Sequence, residues 1–419
     1  MTMRFARAAL TACLLGTAAI AAVAVSMTPA IAAKSSGPTV SPAVGKLLQP
    51  AQKALEAKDF ATAMGLIKQA QALPDQTPFD TYSINNFLAN ASLGTNDYVT
   101  ADQAYEAMAE SPAMPDGDKP ITLKNATLLA NQEKHYDKAV KYGTAYLALG
   151  TPDAIVVATL AQSYYFTNDF TNAAAYAQKA IDATPAGQPP NRAALEIKLS
   201  SQIKAKHEDE AVTTLETVVT YYNDADDWGQ IVDFALGVKG IKDAQALHIY
   251  RLRVAAKANG TEDDYRLAAT LSQQLGYPGE AQAFINAGIA AGKLNAGNPL
   301  VKSVSAAAAA DRAVLPQLEK LAKTASGDVV LKLAETYYGY GRYADAEASA
   351  RAAIAKGGAK LDTAEAQMLI GEALLGEGKN ADAVAAFNQV QTSSPAWAKA
   401  QHIWLVFANR KYDASAPSQ

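Results

Sequence analysis

The sequence predicts an all-α protein made of about ten helical hairpins. The chain has 419 residues, of which 49% are hydrophobic and 19% charged, so most of it carries enough apolar surface to fold. Much of that apolar fraction is alanine, the best helix former, whereas aromatic residues make up only 8%. In addition, a pattern of aromatic and small residues recurs along the chain. These observations favour many closely packed helices over a sheet, which would need more valine, isoleucine and threonine.

The first residues have the layout of an export signal. Arg4 and Arg7 open the chain, an uncharged apolar run follows over residues 8–25, and a small-x-small pattern closes at Ala33. This arrangement is typical of a secretory signal peptide at residues 1–33, cleaved after Ala33 or one residue earlier. An uncleaved membrane anchor is the alternative, because the run approaches spanning length.

The single cysteine, Cys13, lies inside this leader. It resembles the end of a lipoprotein box, but only a short apolar stretch precedes it, which argues against lipidation. The mature chain would therefore hold no cysteine and no disulfide in a periplasmic or secreted location, and packing alone would stabilise it. Residues 34–43 and 412–419 are polar and contain proline, and they indicate a flexible leader and a disordered tail.

The charge balance excludes one class of partner. Without the leader, the chain has 35 basic residues against 41 acidic ones, since Arg4 and Arg7 are the only charged residues removed. A nucleic-acid-binding protein needs a basic surface, so nucleic acid is not expected as a partner.

The recurring pattern is an aromatic residue followed, three residues later, by a small one. Five copies start at Phe60, Tyr98, Tyr136, Phe170 and Glu208, where the last is a degenerate copy with glutamate in the aromatic position. These starts lie 38, 38, 34 and 38 residues apart. A period of this length indicates one supersecondary unit per repeat. The clearest copies are Phe170, Ala173, Ala177, Ala180 and Pro185; Tyr343, Ala346, Ala350, Ala353 and Gly358; and Asn380, Ala383, Phe387, Val390 and Pro395.

Each copy predicts two helices joined by a short turn. In the clearest one, residues 153–166 form the first helix, Thr167-Asn168-Asp169 supply a capped turn, and residues 170–183 form the second. Ala173 and Ala180 would let neighbouring helices approach to the lower end of the usual spacing of about 8–10 Å.

These residues resemble the motif of the tetratricopeptide repeat (TPR) family. The resemblance implies a right-handed α-solenoid of about ten hairpins with a C-terminal capping helix, whose packing face would be Trp397, Trp404 and Phe407. It places N-terminal repeats at 44–223 and C-terminal repeats with the cap at 326–411.

Residues 224–325 depart most from the motif. Three further hairpins are expected there, at about 226–258, at 262–292 and near 298–325, and the last of these has lost its aromatic residue. The region is either a set of drifted repeats or a hinge, and drift is the preferred interpretation.

Motifs for catalysis or cofactor binding are weak. His207-Glu208-Asp209-Glu210-Ala211 lacks the second histidine of a zinc-protease motif, and Asp224–Gly229 has Trp228 where a calcium loop needs a ligand. Gly376–Asn380 has the wrong spacing for a phosphate loop and fits a turn between repeat helices. We therefore expect no metal, no cofactor and no catalytic residues. A hydrolase on a helical scaffold is a remote alternative.

The resemblance also implies which side chains face a binding groove. The first helix of each TPR hairpin lines the concave side, through the residue after the packed tyrosine and the residue three before it. Whether Tyr165 and Tyr338 are exposed or only pack against the motif tyrosines stays open. The candidate groove residues are Asn90, Gln162, Tyr165, Phe166, Glu335, Tyr338 and Glu372.

Together these features predict a non-enzymatic scaffold of a bacterial cell envelope that binds a segment or helix of a partner protein in its groove. No stable membrane span is expected after signal cleavage. The alternative is a protein that assists polysaccharide or peptidoglycan export or assembly, in which an exposed Trp228 would stack on sugar rings.

Overall fold

A computed structural model describes residues 38–150 and 153–412. Within these ranges the regular elements are twenty α-helices and one 3-10 helix. The predicted signal peptide with Cys13, the first residues of the leader and the tail from residue 413 lie outside the described residues. No helix in the described ranges is both long enough and apolar enough to span a membrane.

The chain forms two compact units that divide within one helix, between residues 211 and 212. The N-terminal unit, described over 38–150 and 153–211, holds four complete hairpins and the first helix of a fifth. Its helices are α1 (Pro42–Glu56), α2 (Phe60–Gln71), α3 (Pro78–Gly94), α4 (Tyr98–Ala109), α5 (Lys119–Gln132), α6 (Tyr136–Leu147), α7 (Ala154–Phe166), α8 (Phe170–Asp182), α9 (Arg192–Lys204) and the start of α10 (Glu208–Tyr221).

The C-terminal unit, described over residues 212–412, holds four hairpins, one unpaired long helix and a terminal helix. Its elements after α10 are α11 (Ala225–Leu236), α12 (Asp243–Ala255), α13 (Glu262–Leu275), α14 (Pro278–Ala290), α15 (Pro299–Ala322), α16 (Gly327–Gly339), α17 (Tyr343–Lys356), α18 (Thr363–Gly376), α19 (Asn380–Asn388) and α20 (Pro395–Ala408).

The hairpin expected near 298–325 is instead the single helix α15, so this prediction was wrong. Residues 300–315 contain neither glycine nor proline and are rich in alanine, so nothing ends the helix. The helix continues through Pro316 to Ala322. The described helices therefore form nine hairpins, and α15 takes the place of a tenth.

One turn geometry recurs between the two helices of a hairpin. Three residues connect the helices, and the middle one has a positive φ, a conformation that suits glycine and asparagine. The glycine-rich stretch Gly376–Asn380 contains this turn, as the sequence predicted. The positive-φ residues are Lys58, Asn96, Lys134, Asn168, Lys206, Gly341 and Gly378. In three hairpins the third turn residue, Asp59, Asp97 or Asp169, caps the next helix through its side chain.

The small residue three positions after each repeat start is the point of closest helix packing. Every one of these alanines has an exposed fraction of 0%. In the fourth hairpin, Ala173 packs with Ala161 of α7 and Ile197 of α9. The positions are Ala63, Ala101, Ala139, Ala173, Ala211, Ala346 and Ala383.

The aromatic residue that starts the second helix packs on the following hairpin. A Cβ atom added at Gly94 would lie 2.1 Å from the Phe60 ring, and one at Gly376 would lie 2.6 Å from the Tyr343 ring. Tyr136 instead meets Phe166, and the two rings stack with their centroids 4.6 Å apart. In these repeats the C-terminal end of the first helix therefore packs against the aromatic ring of the preceding repeat.

Successive first helices also contact each other, as in a TPR array: α1 with α3, α5 with α7, α7 with α9, and α16 with α18. The C-terminal unit adds a different contact, because α20 packs on α11 and α12 as well as on α18 and α19. The prediction of a terminal helix that packs through Trp397, Trp404 and Phe407 is confirmed, since these side chains are 3%, 1% and 5% exposed.

Replacing Ala173 by leucine should destabilise the N-terminal unit. The added atoms must enter the contact with Ala161 and Ile197, and overpacking of this kind costs about 1–3 kcal/mol. Ala175 lies in the same helix but is exposed, so Ala175→Leu is the matched control, with an effect within about 0.5 kcal/mol. Urea unfolding followed by circular dichroism measures the difference. Equal midpoints for the two variants would refute the close-packing interpretation.

Candidate functional site

The predicted groove residues of the N-terminal unit lie on α3 and α7. Asn90 is half-buried on α3, where its Nδ2 donates to the carbonyl oxygen of Asn86 at 2.8 Å and to its Oδ1 at 2.9 Å. Gln162 on α7 accepts from Nδ2 of Asn131 at 3.0 Å, and the hydroxyl of Ser163 donates to Asn131 Oδ1 at the same distance. Asn131 therefore links the first helices of two consecutive hairpins, and Gln162 is part of that link.

Tyr165 and Phe166 form an aromatic cluster with Phe170, which follows them in the chain, and Tyr136, which precedes them. The Tyr165 ring meets Phe166 at 5.6 Å and Phe170 at 5.7 Å, both edge to face. Burial raises the pKa of Tyr165, which is half-buried in this contact. Phe166 has its ring stacked on Tyr136, yet it remains 41% exposed. The open question about Tyr165 is thus answered in part: its ring is a packing element, and Phe166 presents more surface to solvent.

The same tyrosine packing occurs in the C-terminal unit. Tyr338 meets Tyr343 edge to face at 5.3 Å, as Tyr165 meets Phe170. The guanidinium carbon of Arg251 lies 4.5 Å from the centroid of the Tyr338 ring. Because α12 supplies that arginine, Tyr338 contacts another part of its own chain at the position where a groove residue would meet a partner.

Glu335 and Glu372 differ from the prediction more strongly. They are 0% and 1% exposed, so neither faces an open groove. Both belong to a buried charge cluster, defined here as His248 and Arg251 of α12, Glu280 of α14, Glu335 of α16, and Glu365 and Glu372 of α18. The expectation of groove carboxylates is corrected, because α12 brings its own cations to these positions.

Arg251 is the centre of this cluster and binds three carboxylates. Its Nε and Nη2 donate to the two oxygens of Glu280 at 2.6 and 2.8 Å. Nη2 also donates to Glu335 Oε2, and Nη1 donates to Glu372 Oε2 at 3.0 Å. A guanidinium has donors in a planar fork that suits such multiple pairing. The cluster therefore ties together α12, α14, α16 and α18.

His248 is held between two of the same carboxylates. Its Nδ1 lies 2.6 Å from Glu372 Oε1, and its Nε2 lies 3.5 Å from Glu335 Oε1. Burial, the largest single influence, would lower the pKa of this imidazole, but the charge of Glu372 together with the contacts to Glu335 and Glu372 raises the pKa to about 9. For the Glu335 carboxyl, burial acts in the other direction and would raise the pKa, but Arg251 and His248 lower it to about 2.

Glu365 occupies the side of the cluster that reaches solvent. It is half-buried, and burial together with the charge of Glu335 raises its pKa to about 7. Ligand atoms of His248, Glu335 and Glu365 lie within 4.8 Å of one another, so these three side chains could hold a metal ion.

Two tryptophans of α20 pack against His248 of the cluster. The Trp397 ring meets His248 edge to face at 5.0 Å, and Trp404 Nε1 donates to the carbonyl oxygen of His248 at 2.9 Å. Trp228 is 0% exposed, packs on Phe407 and donates to the Tyr412 hydroxyl at 2.7 Å. The proposal that an exposed Trp228 stacks on sugar rings was therefore wrong. The calcium-like loop before it is a helix cap, in which Asp224 accepts from the backbone of Asp226 and Asp227.

Sequence reasoning identified Glu335 and Glu372 but missed their partners. Arg251 lies 84 residues before Glu335 and 121 before Glu372, so no local spacing connects them. One signal was present in the sequence: His248 and Arg251 are three residues apart, on one side of a predicted helix, and both have apolar neighbours. A histidine and an arginine among core positions indicate buried acidic partners.

Replacing Arg251 by methionine should destabilise the C-terminal unit by about 3–5 kcal/mol. The substitution keeps much of the side-chain volume but leaves three buried carboxylates without their cation. Arg351→Met is the matched control, because the Arg351–Glu347 pair spans 2.8 Å on a side chain that is 54% exposed, where a loss below about 1 kcal/mol is expected. Urea unfolding measures both. A loss for Arg251→Met no larger than the control would contradict the role assigned to the cluster.

No protein-family model and no curated protein sequence matches the chain. Solved structures do match, each at 12% identity. A tetratricopeptide repeat protein from Parabacteroides merdae aligns over 78% of this chain and 99% of its own, with a TM-score of 0.27. Naa15/Naa10 bound to HypK aligns over 83% and 63%, at 0.29, and the APC/C hetero-tetramer Cut9–Hcn1 over 82% and 72%, at 0.26. TM-scores of this size do not establish a shared shape over the whole chain. The chain's own paired and stacked helices form a TPR-like, all-α fold.

Proposed function

We propose that the protein is a non-enzymatic scaffold that binds an extended segment or a helix of a partner protein. The binding surface would be the first-helix face of the N-terminal unit, which the TPR resemblance assigns to the groove. This proposal keeps Asn90, Gln162, Tyr165 and Phe166 as binding residues and leaves out the three candidates of the C-terminal unit.

The observation that carries the proposal is the surface of α7. Ile155 and Phe166 are 45% and 41% exposed, although both are large apolar side chains. They lie eleven residues apart, which is three turns of a helix, with Gln162 on the same side between them. Exposed large apolar side chains grouped on one face of a helix are typical of a surface that binds protein.

The C-terminal unit also favours a binding surface on the N-terminal unit, because its own equivalent positions are already in contact with the same chain. Its equivalent first-helix residues, Glu335 and Glu372, already bind Arg251 and His248 of the same chain. A partner would have to break this buried cluster to reach them, which would cost several kcal/mol. In the N-terminal unit, a partner could contact Ile155 and Phe166 without breaking a buried ion cluster.

The partner chemistry follows from the residues on offer. Apolar and aromatic side chains with amides, and no cluster of basic residues among them, favour a partner that is neutral or basic and presents apolar side chains. Asn86, Ile155 and Thr159 stand where some TPR proteins have the basic clamp for a terminal carboxylate, so carboxylate recognition is not proposed.

Residue-specific photo-crosslinking in native cells tests the surface. A photoreactive amino acid at Ile155 should give one discrete protein adduct, because that side chain would lie in the interface. The matched control is Val99 on α4, which is 54% exposed in the same unit but belongs to a second helix. An identical adduct pattern from both positions would refute the assigned face.

The partner identified in this way then allows a measurement of affinity. The double variant Ile155→Ala, Phe166→Ala should weaken binding at least tenfold, because interface aromatic residues contribute about 2 kcal/mol or more when they act as hot spots. Val99→Ala should leave the dissociation constant unchanged. Circular dichroism checks that the helices are retained. Undiminished affinity in the double variant would exclude this surface as the binding site.

We also propose that the scaffold works in a bacterial cell envelope, on the strength of the leader at residues 1–33. N-terminal sequencing of the protein from fractionated native cells should find a mature chain that begins at Ala33 or Lys34. An intact N-terminus in the membrane fraction would favour the anchor instead and contradict signal cleavage.

A further inference from the structure

Three ligand atoms of the buried charge cluster meet at one point. They belong to His248, Glu335 and Glu365, on α12, α16 and α18, and all lie within 4.8 Å of one another. Arg251 and Glu280 contribute no atom to this set, and Nη1 of Arg251 lies 3.4 Å from Nε2 of His248. The set consists of one imidazole and two carboxylates, the donor types that bind divalent transition metals.

Glu335 supplies a buried oxygen that forms no hydrogen bond and whose neighbour, among the described residues, is the His248 ring at 3.5 Å. Its Oε2 accepts from Arg251, but Oε1 is buried and accepts no hydrogen bond within the described residues. A buried carboxylate oxygen of this kind costs free energy unless a cation or donor meets it. The nearest ring nitrogen, Nε2 of His248, is 3.5 Å away, beyond an ordinary hydrogen bond.

That distance suits a shared metal ion. Zinc binds histidine nitrogen and carboxylate oxygen at about 2.0–2.2 Å, so two ligands of a tetrahedral site lie about 3.3–3.5 Å apart. His248 Nε2 and Glu335 Oε1 already have this separation. The carboxylate of Glu365 must close by roughly 1 Å at its widest gap, which side-chain rotation can supply.

The imidazole is also oriented as a metal ligand. Glu372 Oε1 lies 2.6 Å from Nδ1 of His248, so Nδ1 donates to it, while Nε2 turns toward Glu335 and would release its proton when a metal binds. Metal-binding histidines commonly have their other ring nitrogen held by a carboxylate in this way. Glu372 would therefore act as a positioning residue.

The charge of the cluster favours an added cation. Four carboxyl groups, those of Glu280, Glu335, Glu365 and Glu372, face one guanidinium and one imidazole. A divalent ion at the three-ligand point would balance the carboxylates that Arg251 does not neutralise. The partial exposure of Glu365 leaves a path from solvent.

We propose that His248, Glu335 and Glu365 bind a divalent transition-metal ion, Zn²⁺ or Mn²⁺, that ties α12, α16 and α18 together. An imidazole ligand disfavours Ca²⁺ and Mg²⁺, which take oxygen ligands. The site stabilises the C-terminal unit and is independent of the partner surface on α7.

The test is metal binding by the full chain, purified without a metal-binding tag. Isothermal titration with Zn²⁺ and with Mn²⁺, and mass spectrometry of the metal retained after dialysis, should each give one equivalent for at least one of the two ions. Bound metal should raise the melting temperature, since it binds only the folded state. Titration with Ca²⁺ and Mg²⁺ should give no comparable site.

Glu365→Gln removes one ligand of the proposed site. Being half-buried, Glu365 should tolerate this substitution, and the variant should bind the metal at least tenfold more weakly and lose the thermal shift. The matched control, Glu262→Gln on the exposed first turn of α13, should behave as the unmodified chain. Glu372→Gln should weaken binding about 10–100-fold through the lost orientation of His248.

Two results would overturn the proposal: absence of a one-equivalent site for both ions, or equal affinity in Glu365→Gln and Glu262→Gln. If Glu365→Gln fails to fold, anomalous diffraction from metal-soaked crystals of the unmodified chain decides instead. A peak bounded by His248, Glu335 and Glu365 supports the site, and a peak only elsewhere rejects it.

Discussion

The close approach of helices at fully buried alanines is the constraint on which the rest of the structure depends. Each hairpin places one such alanine three residues after its start, where a larger side chain would separate the helices. This spacing lets the aromatic ring at the start of a second helix reach the end of the next first helix. Repeats therefore stack by packing an aromatic ring either against a glycine or against a second aromatic ring.

The two units use the same hairpin for different purposes. In the N-terminal unit, the first helices keep amide, tyrosine and phenylalanine side chains at the surface, and Ile155 and Phe166 stay exposed. In the C-terminal unit, α20 packs back on α11 and α12, and the first-helix carboxylates meet Arg251 and His248. The same motif positions thus lie on the proposed partner surface in one unit and in an internal ion cluster in the other.

Burying an ion cluster is costly unless its charges are well paired. Arg251 meets this requirement with three carboxylates, and tryptophans of α20 exclude solvent from one side. Glu335 Oε1 nevertheless accepts no hydrogen bond from a described residue, and the half-buried Glu365 lies beside it. A carboxylate oxygen without a hydrogen bond, beside an oriented histidine, distinguishes the cluster from an ordinary buried salt bridge.

The amino-acid sequence alone predicts the class of the fold, the helix boundaries of the clear repeats and the packing alanines. These features are local, because helix propensity, capping and three-residue spacing act within one hairpin. The sequence prediction failed at residues 298–325, because residues 300–315 contain no glycine or proline to form the expected turn and Pro316 does not end the helix.

Which first-helix residues are accessible depends on packing between helices that are distant in sequence. Glu335 and Gln162 occupy equivalent motif positions. Their local sequences do not indicate that Gln162 bonds Asn131 while half-buried, whereas Glu335 forms a buried ion pair with Arg251. The difference comes from α12 and α20, which are distant in sequence and reach the C-terminal repeats through long-range packing. Contacts of this kind depend on the summed geometry of many helices, so no spacing within a single repeat can reveal them.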